Sequence, residues 1–351
     1  ILARFSGDEF LILMKDFQNS EEVLDFANCI VEKVQEPFSV YGVNNFLTCS
    51  IGISIYPEGG VDVITLLKNA DMAMYKAKEQ GGNSLYIYDE NLSIVEINKI
   101  NLLNQLREAK KRDEYVLYYQ PKVLLEDEKI LGMEALIRWD NPSKGLLYPN
   151  TFIPLAEETD IILSIGEWAL GEACRQSKLW MDKGHRPKRV SVNISARQFQ
   201  QGNLLDIVKN VLKKENYEPK YLELEITEST AVIDIDYTIN LLKKLKGLGV
   251  YISMDDFGTG YSNLNYLKEM SVDELKIDKS FIQDININEK SMLIIRATIH
   301  LAHELGLKVT AEGVETEEQI QFLREYNCDH IQGYYYCKPL PPEKFEELLI
   351  L

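Results

Sequence analysis

The feature that most constrains the fold is a regular alternation of short apolar segments with helical segments after Asp113. Strands that alternate with helices at roughly 30-residue spacing are typical of βαβ units and a parallel sheet. Eight such strands over about 240 residues match the size of a TIM-type barrel. The predicted strands are YVLYYQP, KILGMEALIRW, VSVNIS, YLELEIT, VYISMDD, ELKID, KVTAEGV and HIQGYYY.

The connection between the first two of these strands is the short polar stretch LLEDEK. It is too short for a crossover helix, so this pair of strands is expected to be antiparallel. The predicted fold class is therefore α/β, a TIM-like (β/α)8 barrel with an antiparallel first strand. We place this barrel at residues 113–351.

The segment before the barrel has a different pattern. Residues 1–90 predict a strand–turn–strand unit, a helix over about residues 20–35, a strand at 46–56, a helix at about 61–79 and a last strand at 84–89, which indicates an α+β domain. Residues 91–112 carry apolar positions three and four apart and predict a connecting helix. The sequence opens on ILARFSGDEF without a methionine, so we expect it to be a fragment of a longer protein.

The charge balance limits the partners. The chain has 38 Lys and Arg against 55 Asp and Glu, a net charge of −17, and a field of that sign repels nucleic acid polymers. No apolar run approaches the roughly 18 residues of a membrane span, so no membrane contact by this fragment is expected. The five cysteines show no CxxC pair, which favours reduced thiols and a cytoplasmic location. A membrane anchor upstream of the fragment remains open.

Polar or acidic side chains stand at the end of nearly every predicted barrel strand. The C-terminal strand ends of such a barrel meet on one face, where active sites lie. Neighbouring carboxylates about 4 Å apart repel by about 4 kcal/mol at an effective dielectric near 20, so cations must offset them. Oxygen ligands suit Mg²⁺ or Mn²⁺, and we predict two ions per site. For any single residue, a solvated strand end or a helix N-cap is the alternative. The residues are Glu134, Asn193, Glu225, Asp255, Asp256, Lys276, Glu312 and Gln332.

These residues lie in ordered blocks that resemble a known family. The blocks are YYQPKV, MEALIRW, SVNISARQF, LELEITES, MDDFGTGYSNL, LKIDKSFI, TAEGVE and QGYYYCKPL. With these blocks in order, the chain from about residue 107 to 351 resembles the EAL family of cyclic-di-GMP phosphodiesterases. The resemblance implies hydrolysis of cyclic-di-GMP to linear pGpG. A catalytically silent receptor that binds cyclic-di-GMP and signals through the connecting helix is the alternative.

The resemblance also implies roles for the strand-end residues. The first metal would be held by Glu134, Asn193, Glu225 and Asp255, and Asp255 would bridge to a second metal that Asp256 helps to bind. Lys276 would orient and polarise the attacking water. Glu312 would be either a general base or a ligand of the second metal, and Gln332 would touch the metal–water network or the substrate.

Substrate contacts are implied outside this set. Arg138 is placed to bind a substrate phosphate, for which a guanidinium is well suited, and Gln120 would lie at the substrate edge. The segment at residues 256–264 resembles the family's loop that couples the metal site to dimerisation, with Glu228 as its anchor. Its glycines, Gly258 and Gly260, allow backbone conformations closed to other residues. A turn with no regulatory role is the alternative for this segment. The resemblance alone implies a homodimer through the EAL domain.

Residues 1 to about 90 contain the segments ARFSGDEF, SIGISIYP and NADMAMYKAKEQGGN. With these segments the region resembles the C-terminal half of a GGDEF diguanylate cyclase domain. ARFSGDEF corresponds to the motif hairpin, with Ser6 in place of the motif's first glycine. Asp8 and Glu9 keep the metal-contacting and base-contacting positions. Because the half with the other metal aspartate is absent from this sequence, cyclic-di-GMP synthesis by this chain is not expected.

Overall fold

The computed structural model describes residues 1–40, 43–79, 81–186, 188–259 and 264–350. The chain divides into two compact units, Ile1–Leu102 and Leu103–Leu351. All five cysteines are free; Cys174 and Cys328 are buried, whereas Cys29 is exposed. Within the described ranges, no helix combines the length and the apolar character needed to cross a bilayer.

The first unit contains small sheets and two helices before the connecting helix. An antiparallel hairpin opens the chain, a second antiparallel pair follows the first helix, and the last two strands pair in parallel. The strand predicted at 46–56 is shorter than expected. At the centre of this strand, the helix that contains Ala70 packs directly on Gly52. A Cβ at this position would lie 1.9 Å from the Ala70 carbonyl oxygen. The elements are β1 (Leu2–Ser6), β2 (Glu9–Ile12), α1 (Ser20–Gln35), β3 (Phe38–Val40), β4 (Val43–Asn45), β5 (Ile51–Ile53), α2 (Val63–Glu79) and β6 (Leu85–Ile87).

The connecting helix, α3, runs over Glu90–Ala109 and passes into a 3₁₀ turn at Lys110–Arg112. Asp113 ends it in the left-handed conformation, with φ of 55°. From there the chain enters the barrel. The barrel strands are β7 (Tyr115–Leu124), β8 (Ile130–Asn141), β10 (Arg189–Ile194), β11 (Leu222–Thr227), β12 (Tyr251–Phe257), β13 (Glu274–Ile277), β14 (Lys308–Glu312) and β15 (His330–Gln332); β9 (Gly145–Leu147) lies outside it.

The barrel closes because β8 pairs in parallel with β10 while β7 pairs with β15. Strands β10 to β15 are parallel, and β7 is antiparallel to both of its neighbours, so the predicted antiparallel first strand is confirmed. The sequence did not indicate β9, which adds to β8 outside the barrel. Surrounding the sheet are α4 (Pro149–Glu157), α5 (Ile161–Asp182), α6 (Ala196–Gln200), α7 (Leu204–Lys214), α8 (Glu228–Val232), α9 (Ile235–Leu248), α10 (Leu264–Glu269), α11 (Lys279–Gln283), α12 (Glu289–Glu304), α13 (Glu317–Glu325) and α14 (Pro342–Leu349).

In each barrel strand, successive side chains point to opposite faces of the sheet, because extended backbone has a period of two. In β11, Leu222, Leu224 and Ile226 belong to the buried apolar core, while the alternate positions Glu223 and Glu225 carry charge on the opposite face. The apolar face packs against the helices, and the other face lines the barrel interior. The interior is therefore polar, whereas bulky aliphatic side chains usually fill a barrel of this size.

Candidate active site

The predicted strand-end residues meet at the C-terminal end of the parallel strands, which we call the mouth. The register places Asn193 beside Glu225, Gln120 beside Glu134, and Glu312 beside Gln332. Because parallel neighbours keep their side chains in step, residues distant in sequence reach one level of the barrel. The structure thus brings together all eight residues that the strand-end pattern predicted, and it places Gln120 beside them.

Lys276 lies at the centre of the mouth and is fully buried. Its Nζ lies 2.7 Å from Oε2 of Glu225 and 2.5 Å from Oε1 of Glu312. The distances from the same Nζ to Asp255 Oδ2 and Glu134 Oε2 are 3.3 and 4.0 Å. One ammonium group therefore faces four carboxylates, and the charge at the mouth is negative.

The carboxylates of the mouth respond differently to burial. Burial, together with the charge of Glu225, raises the pKa of Glu134 to about 7. Burial and the charge of Asp255 raise the pKa of Glu312 well above its usual range. Burial also opposes the ionisation of Glu225, but Lys122 and Lys276 outweigh it and lower the pKa of Glu225 to about 2. Glu225 is therefore the permanent anion of the group.

Two adjacent aspartates, Asp255 and Asp256, lie within an irregularity of β12. The register with β13 shifts between Met254 and Phe257, and Asp256 has a left-handed φ of 55°. Such a bulge re-aims side chains that would otherwise point to opposite faces. As a result, Asp255, Asp256 and Glu312 each offer a carboxylate oxygen, and these atoms all lie within 4.8 Å of one another. Burial and the charge of Asp255 raise the pKa of Asp256 to about 6.

This donor set fits a hard divalent cation. Carboxylate oxygens are the ligands that Mg²⁺ and Mn²⁺ prefer. Among the described residues, these three form the one group of three or more His, Cys, Asp and Glu side chains whose ligand atoms all lie this close together. Burial and, after it, the charge of Asp255 raise the pKa values of Asp256 and Glu312, and a bound cation would offset both effects.

The amides of the mouth hold Glu134 in place. Asn193 Nδ2 donates to Glu134 Oε1 at 2.7 Å, and Gln332 Nε2 donates to Glu134 Oε2 at 2.5 Å. Gln332 Nε2 also lies 3.1 Å from Gln120 Oε1, while Gln120 Nε2 donates to the Cys337 carbonyl oxygen at 3.0 Å. Both oxygens of Glu134 are thus oriented by amides.

Arg138 lies farther along β8 than Glu134 and is 5% exposed. Its guanidinium carbon is 5.5 Å from the ring centre of Tyr118 and 4.9 Å from that of Tyr148. Nη1 donates to the Ile137 carbonyl oxygen, and Nε has no hydrogen-bond partner in the described part of the chain. The guanidinium is therefore held by two rings with donors to spare for an anion.

The predicted loop anchor makes one clear contact. Oε2 of Glu228, at the start of α8, accepts from the Gly258 amide at 2.9 Å. Gly258 has φ of +96°, a conformation that favours glycine. Gly260 and residues 261–263 lie outside the described residues, so the rest of the predicted loop is not described.

Sequence reasoning missed a second level of polar residues beneath the mouth, which we call the inner polar layer. Each of its members on a parallel strand lies two positions before a mouth residue, so the period of two could have found them. Lys122 holds the corresponding place two positions after Gln120 on the reversed strand β7. All members are at most 4% exposed; they are Lys122, Ser191, Glu223, Ser253, Glu274, Thr310 and His330.

The acidic pair of the first unit lies in a different setting. Asp8 and Glu9 follow Gly7, whose φ is +48°, at the turn between β1 and β2. Both acidic residues, and Ser6 before them, are exposed. The hairpin itself corresponds to the strand–turn–strand unit that the sequence predicted.

Comparisons with known proteins agree with this architecture. Residues 103–339 match the model of the EAL domain, and residues 1–84 match that of the diguanylate cyclase GGDEF domain. The chain is 42% identical over 343 residues to the bifunctional diguanylate cyclase/cyclic di-GMP phosphodiesterase MucR of Pseudomonas aeruginosa, covering 98% of this chain and 50% of that protein. It is 43% identical over 350 residues to the signaling protein YkoW of Bacillus subtilis, covering 99% of this chain and 44% of that protein.

A solved structure supports the same relationship. The PaMucR phosphodiesterase in complex with c-di-GMP superposes with a TM-score of 0.68 at 47% identity, covering 70% of this chain and 99% of that one. The chain spans about half the length of the two full-length relatives named above. On the combined match of family model, relatives and barrel, the chain belongs to the EAL domain family, with a segment of a GGDEF domain before its barrel.

Proposed function

We propose that this chain is a divalent-cation-dependent phosphodiesterase that hydrolyses cyclic-di-GMP to linear pGpG. The observation that carries the proposal is the buried group of carboxylates around Lys276 at the mouth of the barrel. The name of the 42%-identical relative and the c-di-GMP complex of a 47%-identical structure support the choice of substrate.

The residues at the mouth divide into two sets that would hold Mg²⁺ or Mn²⁺. Glu134, Asn193, Glu225 and Asp255 would hold one ion, and Asp255 with Asp256 would hold the second. Glu312 shares the short oxygen–oxygen distances of the two aspartates, which favours a ligand role for it over that of a general base. When bound, the ions supply positive charge that neutralises the carboxylates and polarises the phosphodiester.

The chain's own side chains bind and orient the reactants. Arg138, fixed between Tyr118 and Tyr148, would hold a phosphate oxygen, and Gln120 would lie at the substrate edge. Lys276 would orient the attacking water, since its Nζ is already surrounded by acceptors. In the reaction, a P–O bond to water forms, one P–O3′ bond breaks, and the released 3′-oxygen takes a proton.

The direct test is release of pGpG from cyclic-di-GMP by the full chain with Mg²⁺ or Mn²⁺. We expect Glu134→Ala to abolish turnover, because both oxygens of Glu134 face the mouth. Asp8→Asn serves as the control, since Asp8 lies on an exposed turn. Binding of cyclic-di-GMP without pGpG release would contradict this proposal and support the silent receptor instead.

We further propose that the protein forms a homodimer through its barrel, as the resemblance to the family implies. Glu228 and Gly258 supply the described part of the loop that would report dimerisation to the mouth. Light scattering after size-exclusion chromatography tests the proposal. A monomer at all concentrations, with or without cyclic-di-GMP, would contradict it.

A further inference from the structure

Two buried lysines hold Glu225 from opposite sides. Lys276 Nζ donates to its Oε2 at 2.7 Å, and Lys122 Nζ donates to its Oε1 at 2.7 Å. Lys122 comes from the inner polar layer, and its side chain is 3% exposed. Each carboxylate oxygen of Glu225 is therefore bound to a different lysine.

The two lysines differ in their other partners. Lys276 contacts Glu312, Asp255 and Glu134 as well, so it keeps anionic partners if Glu225 turns to a cation. Lys122 has one other ion-pair partner among the described residues, Glu223, at 2.6 Å. Release of Glu225 would leave a fully buried ammonium with half of its compensation, which is costly.

Glu223 is the other ion-pair partner of Lys122. Its Oε2 lies 3.8 Å from Nη1 of Arg189, whose guanidinium stacks 3.5 Å from the ring centre of Tyr251. Charges thus alternate in sign from Arg189 through Glu223, Lys122 and Glu225 to Lys276. Within this series, Lys122 holds Oε1 of Glu225 at the inner level, while Oε2 faces Lys276 at the mouth.

We propose that Lys122 is a positioning residue that retains Oε1 of Glu225, so that only Oε2 can turn from Lys276 to an ion, and that it so biases the mouth toward Mg²⁺ and against Ca²⁺. Mg²⁺ takes six ligands in near-octahedral geometry, whereas Ca²⁺ takes six to eight oxygens and readily accepts both oxygens of one carboxylate. With Oε1 held by Lys122, Glu225 can offer one oxygen to an ion, Oε2, and cannot bind it through both. This inference rests on the proposed cation site of the preceding section.

The test measures cation binding by calorimetry on the full chain, with Mg²⁺ and Ca²⁺ titrated separately. Lys122→Met/Glu223→Gln removes one cation and one anion together, so the net charge of the interior stays the same. Glu223→Gln alone is the matched control, because it keeps Lys122 beside Glu225. Circular dichroism and thermal unfolding establish that each variant is folded.

We expect the double variant to lose about 10–100-fold in Mg²⁺ affinity, as is usual when a group that orients a metal ligand is removed. Its Ca²⁺ affinity should change far less, so the preference for Mg²⁺ shrinks by about tenfold or more. The control should keep the wild-type preference within about twofold. An unchanged preference in the folded double variant would overturn the proposal.

A second measurement needs no variant. In a crystal structure of the wild-type protein grown with Mg²⁺, Lys122 should remain hydrogen-bonded to Oε1 of Glu225, with Oε2 alone on the ion. Glu225 binding the ion through both oxygens would overturn the inference even if the double variant does not fold. Wild-type protein that binds neither ion would contradict the proposed cation site as well, whereas absent pGpG release with intact cation binding would contradict only the proposed reaction.

Discussion

Two pairs of adjacent acidic residues, Asp255–Asp256 at the barrel mouth and Asp8–Glu9 on the first hairpin, lie in opposite surroundings. Asp255 is 8% exposed and has Lys276 at 3.3 Å. Asp8 and Glu9 are exposed. Exposed carboxylates are stabilised by water, whereas buried ones need cations beside them. Acidic residues in sequence therefore indicate a cation site only where the fold buries them together.

Removing the ammonium group of Lys276 should have the largest effect. Lys276→Met leaves four carboxylates without the ammonium that they share, so the free energy of unfolding of the metal-free barrel should fall by about 3–5 kcal/mol. The release of pGpG should fall by about 10²–10⁴-fold. Urea denaturation and steady-state assays measure the two effects. Wild-type stability in this variant would show that the mouth is not electrostatically strained.

The pH dependence of cation binding sharpens the same contrast. The pKa of Glu134 is raised to about 7 and that of Asp256 to about 6, so both carboxyls take up protons in a range where free carboxylates stay ionised. As the pH falls below about 7, Mg²⁺ affinity should drop by up to about tenfold per pH unit for each proton that must leave. Calorimetric titrations between pH 8 and pH 5 measure this change in Mg²⁺ affinity, because these limits lie about one unit outside the two pKa values.

The stability of the metal-free protein should change in the opposite direction. A carboxyl whose pKa is raised in the folded state favours folding while it is protonated. Its contribution is lost as the pH rises from the usual value near 4.5 through about 7. Glu225, with its pKa lowered to about 2, loses its contribution only in strong acid.

For cation binding, a Mg²⁺ affinity independent of pH would contradict the assignment of Glu134 and Asp256 to the cation site.

The anchor of the loop should have a smaller effect. Glu228→Gln keeps the shape of the side chain but replaces the charged acceptor of the Gly258 amide. We expect turnover to fall by about tenfold, which corresponds to about 1.4 kcal/mol. Hydrogen exchange at Gly258 should become faster while the urea midpoint of the barrel stays the same. Unchanged exchange at Gly258 would separate Glu228 from the loop.

The smallest effect is expected at the hairpin. Asp8→Asn/Glu9→Gln changes two exposed side chains, so stability should change by no more than about 0.5 kcal/mol. Cation affinity at the barrel mouth should stay at the wild-type value. Loss of that affinity in the double variant would break the distinction between the two acidic pairs.

Much of the barrel could be predicted because its strands obey one simple rule. Apolar runs that end in Asn193, Glu225 or Lys276 mark both the strands and the end at which they meet, and β7 could be assigned as antiparallel from its short connection. The strand predicted at 46–56 is longer than β5, because an apolar run does not show over how many residues a strand pairs with its neighbour, and β5 pairs with β6 over three residues.

The inner polar layer was harder to predict. Residues such as Lys122 and Glu223 are ordinary surface residues in most sequences, and they become stable in a barrel interior only as partners. Their pairing joins strands that lie about a hundred residues apart in sequence. The orientation of Asp256 was equally hard to predict, because it depends on a backbone irregularity that has no sequence signal of its own.

The reversal of β7 determines where the chain enters the barrel. In a wholly parallel barrel, the first strand starts on the side away from the reactive residues. Here Tyr115, the first residue of β7, pairs with Trp139 near the C-terminal end of β8, beyond the level of Glu134. A displacement of the end of α3 would therefore reach the barrel on the side where substrate would bind, through β7, the strand that carries Gln120.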